Sequence, residues 1–399
     1  MKKSISQNIK LEKSRLIGTA ISLVLFAGII VSMFFVGRSD PNAPMTSARK
    51  LMYARAQVTA VLYDDTEPDY VRAEGRRLGK QELEVEILSG LYKGDTLPLT
   101  NYLSLLGNVY VAVGDRIVVQ INNLEDNSFY ATMHNYDRGS VIGIFVLLFA
   151  LMLIGIGGLK GLKALLGLVF TLACIWFLMI PLIMRGLNPI LVTIAIVVVT
   201  TAASLLLLDG FTRKSAAAIL GCVSGVAAAG IIAAAVGAIT PINGFNMSDA
   251  EDLILHATDN GMQIKGMLIC GVLISALGAV MDVAMTISSA VHELHILNPE
   301  LKPIKLFKSG MNIGRDAMGT MANTLILAFA GSSLNMFVLV RAYDIPFIQL
   351  INADFIVIEI LQSVAGSIGI VLTVPLVSLI ASYLTSLPIK GVIADNRSK

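Results

Sequence analysis

The chain has 399 residues, 55% hydrophobic and only 15% charged, with a formal net charge of +2 and a mean hydropathy of +0.75. Ordinary soluble domains carry about 25% charged residues, so a soluble enzyme with a wholly polar surface is excluded. Disorder is excluded too, because it needs low hydrophobicity and high charge, and the small net charge leaves no electrostatic footprint for nucleic acid.

A helix that spans a bilayer needs about 20 mostly apolar residues. Eight such segments are predicted, at roughly 16–36, 139–158, 163–184, 189–208, 215–239, 264–290, 316–340 and 355–386. Residues 1–15 read as a cytoplasmic tail. The run 16–36 is longer than a signal-peptide core of about 7–15 residues and no A-x-A site follows it, so it is expected to be an uncleaved signal anchor. Residues 37–48, with Pro41 and Pro44, read as a linker.

Residues 49–138 are predicted to form a small β domain. In Lys80–Gly90, Leu83, Val85 and Ile87 alternate with Glu82, Glu84 and Glu86, the period of a half-buried strand. Arg55–Tyr63 is a second strand, and Val109–Ile121 reads as strand, Gly-Asp turn and strand. Short strands with glycine turns point to a small barrel of OB or related type. The Glu row reads as a solvated face.

Lys and Arg gather in alternate loops: the N-terminal tail, Lys160 and Lys163, Arg213 and Lys214, Lys302 to Arg315, and the tail 387–399. The positive-inside rule then puts both termini in the cytoplasm and residues 37–138 outside.

Ionisable groups at membrane depth are costly and default to functional candidates. In the sixth span Gly278, Asp282, Thr286 and Ser289 share one helix face. In the seventh, Asp316, Thr320, Asn323 and Thr324 do the same, and Asp316 beside Arg315 also suits a helix N-terminus. In the eighth, Glu359, Gln362, Ser363, Gly366 and Ser367 form a third stripe, and Pro375 is expected to bend the helix further on. Stripes of this kind are expected to face one another or a water-filled path. Asp282 and Glu359 are the candidates for binding a proton or cation. The blander role is a helix-to-helix hydrogen bond, such as Asp282 to Asn323.

Other motifs carry less. Gly221-x-x-x-Gly225, with Gly230 and Gly237 beyond, means close backbone approach. Gly310 to Gly319 lacks the Lys-Ser/Thr of a phosphate loop. His292-Glu-Leu-His295 has its histidines three apart, where a zinc protease needs four. Cys174, Cys222 and Cys270 all sit in apolar runs. No nucleophile elbow is present, so no catalytic residue, cofactor or metal ligand is expected.

The runs Gly278–Ser289, Ser309–Thr324, and Glu359 followed by Gly366–Ile370 and Val374-Pro375 resemble the YibE/F family of bacterial multi-pass membrane proteins. The resemblance covers about residues 139–386 and implies a seven-helix membrane domain whose polar motifs belong to one shared site. Ser332-Ser-Leu-Asn335 departs from it, standing where a Gly- or Pro-containing stretch is expected. The doubled family name implies paired members, so a homo-oligomer or a hetero-oligomer with such a member is expected. The functional expectation is a secondary transporter for a small solute or ion. Spans six to eight would line its path, Asp282 and Glu359 would bind a proton or cation, and Thr320, Asn323, Gln362 and Ser363 would complete the lining. The alternative is a non-transporting scaffold, assembly factor or sensor acting through the β domain.

Overall fold

The computed structural model describes Gly28 and residues 52–71, 74–123, 129–247 and 250–387. The expected tail 1–15 and linker 37–48 therefore lie outside the described residues, as does the signal anchor 16–36 apart from Gly28. The chain divides into two compact units, Asn42–Met152 and Met1–Pro41 with Leu153–Lys399.

The first unit is a curled antiparallel sheet of β1 (Met52–Asp64), β2 (Glu67–Asp69), β3 (Arg76–Ile87), β4 (Thr96–Leu103), β5 (Arg116–Asn123) and β6 (Phe129–Tyr136). Its order is β4-β3-β1-β5-β6, with β2 also on β3. The period-two pattern of β3 is realised: Leu83, Val85 and Ile87 are fully buried against Val58, Ile117 and Val119, while Glu84 is exposed. Residues 109–113, expected as a strand, are not in the ladder. Side chains take the place of a neighbouring strand there. Asn101 Nδ2 donates to the Val109 carbonyl at 2.7 Å, and Gln81 Nε2 donates to the Val111 carbonyl at 3.0 Å. Both donors are buried and bonded to each other, as buried amides must be. The strands β4 and β6 were not anticipated at all.

After β6 the chain turns helical within two residues. The helices are α1 (Gly139–Cys174), α2 (Ile180–Met184), α3 (Pro189–Asp209), α4 (Arg213–Ile239), α5 (Ala250–Asn260), α6 (Met267–Leu297), α7 (Pro303–Ser332), α8 (Leu334–Ala342), α9 (Phe347–Ile351) and α10 (Asp354–Ser386). A π-turn, Ile175–Met179, joins α1 to α2. Among the described residues, five stretches are long and apolar enough to cross a membrane: Gly139–Met184, α3, α4, α6 and α10; α7 with α8 adds a sixth if the bent pair counts as one. The first is broken at Gly158, whose φ of 55° and ψ of −138° are not helical, and a Cβ on Gly161 would overlap the Leu153 carbonyl oxygen. The chain folds back sharply here, where the sequence predicts one span to end.

The core of the second unit is α4, α6 and α10, with α7 laid against them. Glycines make this packing. A Cβ on Gly221 would meet Val377, one on Gly225 would meet Thr373 and Val280, and one on Gly230 would meet Leu273. The GxxxG run is thus a contact surface toward α10 and α6. Gly310 and Gly314 do the same for α7 against Ser378, Val374, Val291 and Ile287, which gives that Gly-spaced segment its reason.

Candidate functional site

The expected seventh span is not one helix. It begins at Pro303 and breaks at Ser333, where α8 leaves α7 at 58°. Gly331-Ser332 stands at the break, a pair at which helices kink. A side chain from another helix is also bound there. The Ser333 hydroxyl donates to Glu359 Oε1 at 2.5 Å.

Glu359 stands one and a half turns into α10 and is half-buried. Its second oxygen, Oε2, is buried and has no hydrogen-bond partner among the described residues. A cavity of about 400 Å³ opens beside it. Its polar lining is Ser332, Ser333, Asn335, Glu359 and Gln362, and Met247, Met336, Phe337 and Phe355 are among the apolar residues around them. The loop that carries Met247 is tied to the start of α10 by Asn246 Nδ2, which donates to Asp354 Oδ2 at 2.8 Å. The site therefore has a carboxylate with one satisfied and one free oxygen, hydroxyl and amide oxygens nearby, and a broken helix as its wall. An all-oxygen set of this kind suits a proton or a hard cation.

The rest of the α10 stripe is turned inward. Ser363 and Ser367 are buried, and the Ser367 hydroxyl donates to the Ser363 carbonyl at 2.7 Å and toward the Ala322 carbonyl of α7 at 3.4 Å. Gly366 lies under Leu325 and Ala276, and Gln362 Nε2 reaches Gly271 of α6. Leu325 through Ser333 of α7 thus runs along this stripe. The helix continues across Pro375 to Ser386.

The other two stripes face outward in the single chain. Asp282 and Thr286 are exposed and Ser289 is half-buried, and Asp282 makes no hydrogen bond or ion pair among the described residues. Asp316, Thr320, Asn323 and Thr324 are exposed as well, on the side of α7 away from Gly310 and Gly314. The two threonines bond only to their own helix, at the Ala317 and Thr320 carbonyls. No Asp282–Asn323 bond forms. Glu359 and Gln362 thus line one cavity, with Ser363 buried beyond them on α10, and Asp282, Asp316, Thr286, Ser289, Thr320 and Asn323 are not joined to them by any bond among the described residues.

Ser333 was missed by sequence reasoning, along with Ser332, Asn335 and Met247. The one available signal was the Ser-Ser-Leu-Asn departure from the expected Gly or Pro. Away from this site, Asp209 pairs with Lys214 at 3.0 Å. The described residues contain no cluster of three or more His, Cys, Asp or Glu that could hold a metal.

A family model described as YibE/F-like protein matches residues 145–387. No curated protein and no solved structure matches the chain.

Proposed function

The chain belongs to the YibE/F-like family, and from that premise we propose that it is a secondary transporter or permease of the bacterial cell membrane, with Glu359 as its proton or cation site. The observation that carries this reading is the free, buried Oε2 of Glu359 beside a cavity at a broken helix. Discontinuous helices beside a polar side chain are a common build of ion-coupled transport sites. Both termini would lie in the cytoplasm and the OB-like β domain outside. The seven-helix count would follow from splitting α1 at Gly158 and taking α7 with α8 as one span. The lipid bilayer and a small solute or ion would be its only small partners.

The test is uptake into liposomes that hold the full-length chain, across a panel of labelled monovalent cations and with a pH-sensitive dye inside. Wild type should move one of them down its gradient. Glu359→Gln should abolish the flux at unchanged reconstitution, and Ser333→Ala should weaken it by about tenfold, the loss of one charge-assisted hydrogen bond. Flux that survives Glu359→Gln would sink the assignment.

A second reading has its own support in the exposed Asp282 and Asp316 faces. A carboxylate midway along an apolar helix does not face lipid, so these faces fit contact with another copy or with a paired family member. In that case the protein is a scaffold, assembly factor or sensor whose role survives Glu359→Gln and fails on deletion of 45–137. Complementation of a deletion strain by these two variants separates the readings.

A further inference from the structure

We propose that Arg55 and Arg138 form a binding site for the phosphate of an anionic phospholipid at the foot of the sheet. This rests on the membrane placement proposed above, and it is independent of transport. A cavity of about 450 Å³ opens there, lined by Tyr53, Arg55, His134, Tyr136 and Arg138 among others.

Its height in the membrane follows from chain geometry. The last strand ends at Tyr136 and α1 starts at Gly139. From Val141 to Phe149 every side chain is apolar and at least half exposed. A helix rises 1.5 Å per residue, so hydrocarbon that takes α1 begins within about one turn of the junction. The cavity therefore sits at the headgroup level, where Tyr and Arg are at home.

The residues are aimed for this. His134 is the extra residue of a β-bulge, since Val118 pairs with Asn135 and Val119 with Met133. Bulges re-aim side chains out of a ladder, and the His134 ring meets Tyr53 edge-on at 4.9 Å. Asp137 is the one carboxylate in the cavity, and it is already engaged. Its Oδ1 accepts the Gly139 amide at 3.2 Å and its Oδ2 faces Arg55 Nε at 3.4 Å, with the side chain only 7% exposed. That contact uses Arg55 Nε and leaves its two terminal nitrogens for an anion. The Arg138 guanidinium lies over the Tyr136 ring at 5.5 Å and has no carboxylate partner among the described residues. Two guanidiniums against one carboxylate leave a positive cavity, and the guanidinium fork matches phosphate oxygens.

The test uses the full-length chain in nanodiscs of phosphatidylcholine with a minority of phosphatidylglycerol, followed by native mass spectrometry of the lipids retained. Wild type should retain phosphatidylglycerol over phosphatidylcholine. Arg55→Ala with Arg138→Ala should reduce that preference roughly thirtyfold, and Arg138→Ala alone, an exposed change that spares the fold, about fivefold. Lys80→Ala, beside Asp65 at the opposite end of β1 from Arg55, should change nothing. Equal retention of both lipids by wild type overturns the proposal, as does an equal loss in Lys80→Ala. Displacement of phosphatidylglycerol by inorganic phosphate would make it a free-anion site and overturn the lipid assignment. A chain that enters no nanodisc overturns the membrane placement itself, which separates the two failures.

Discussion

Moving a single methyl group across the α4–α10 contact tests how tightly the core of the helical unit is set. In Gly369→Ala the new Cβ stands 2.7 Å from the Ala229 Cβ and 3.2 Å from the Gly225 carbonyl oxygen. Two methyl carbons need at least 3.4 Å, so the helices must part by at least about 0.7 Å. Ala229 is fully buried, and neither partner is a flexible side chain that can swing aside. Overpacking of this kind costs about 1–3 kcal/mol. Alanine is a better helix former than glycine by about 1 kcal/mol, so the net loss in the single variant is about 0–2 kcal/mol. Ala229→Gly alone loses about 1 kcal/mol of helix propensity plus a buried methyl. In the double variant the methyl has changed sides and the 2.7 Å contact is gone, leaving the 3.2 Å approach to the Gly225 carbonyl oxygen. The propensity changes cancel in a double-mutant cycle, which leaves a coupling of about 1–3 kcal/mol from the clash. The measurement is reversible unfolding in mixed micelles, followed by circular dichroism, for wild type, both single variants and the double. Additivity within about 0.5 kcal/mol would refute the close approach.

Two further expectations follow from backbone strain and from charge. Gly158→Ala places a side chain at φ 55° and ψ −138°, a region open almost only to glycine; the fold-back should loosen, and proteolysis of the full chain around Gly158, between Leu153 and Gly161, should speed up severalfold. In the β unit, partial burial pushes the Asp64 carboxyl up, but hydrogen bonds from the Thr66 hydroxyl and amide and from Gln81 together outweigh it and hold it below the ordinary carboxylate value. A depressed folded value means stability that is present above about pH 3.9 and lost as pH falls through the folded value. The contribution is small because Asp64 is solvent-exposed. Thermal melts from pH 6 to pH 2 should show Asp64→Asn losing less stability on acidification than wild type; parallel curves would refute the assignment.

The sequence by itself determined the helical character, the places where apolar runs start and stop, the alternation of β3, and which polar residues share a helix face. These are local properties: a 3.6-residue or two-residue period is written in the order of side chains alone. The stripes on α6, α7 and α10 were all legible in this sense. What lies opposite a face is not local, and only the tertiary structure decided it. The α10 stripe is inward because α7 and α6 pack over it, with Leu325 and Ala276 against Gly366 and Gly271 against Gln362, whereas Asp282 and Asp316 stand on exposed faces that no described helix covers. The bond at the break was hidden for the same reason, because Glu359, to which Ser333 donates, is 26 residues away in sequence. Residues 109–113 read as a strand from their valines, yet Gln81 and Asn101 supply the hydrogen bonds that a neighbouring strand would have made. Each of these outcomes turns on a contact between distant residues, and the hydrogen bonds or close packing made there override what the local pattern favours.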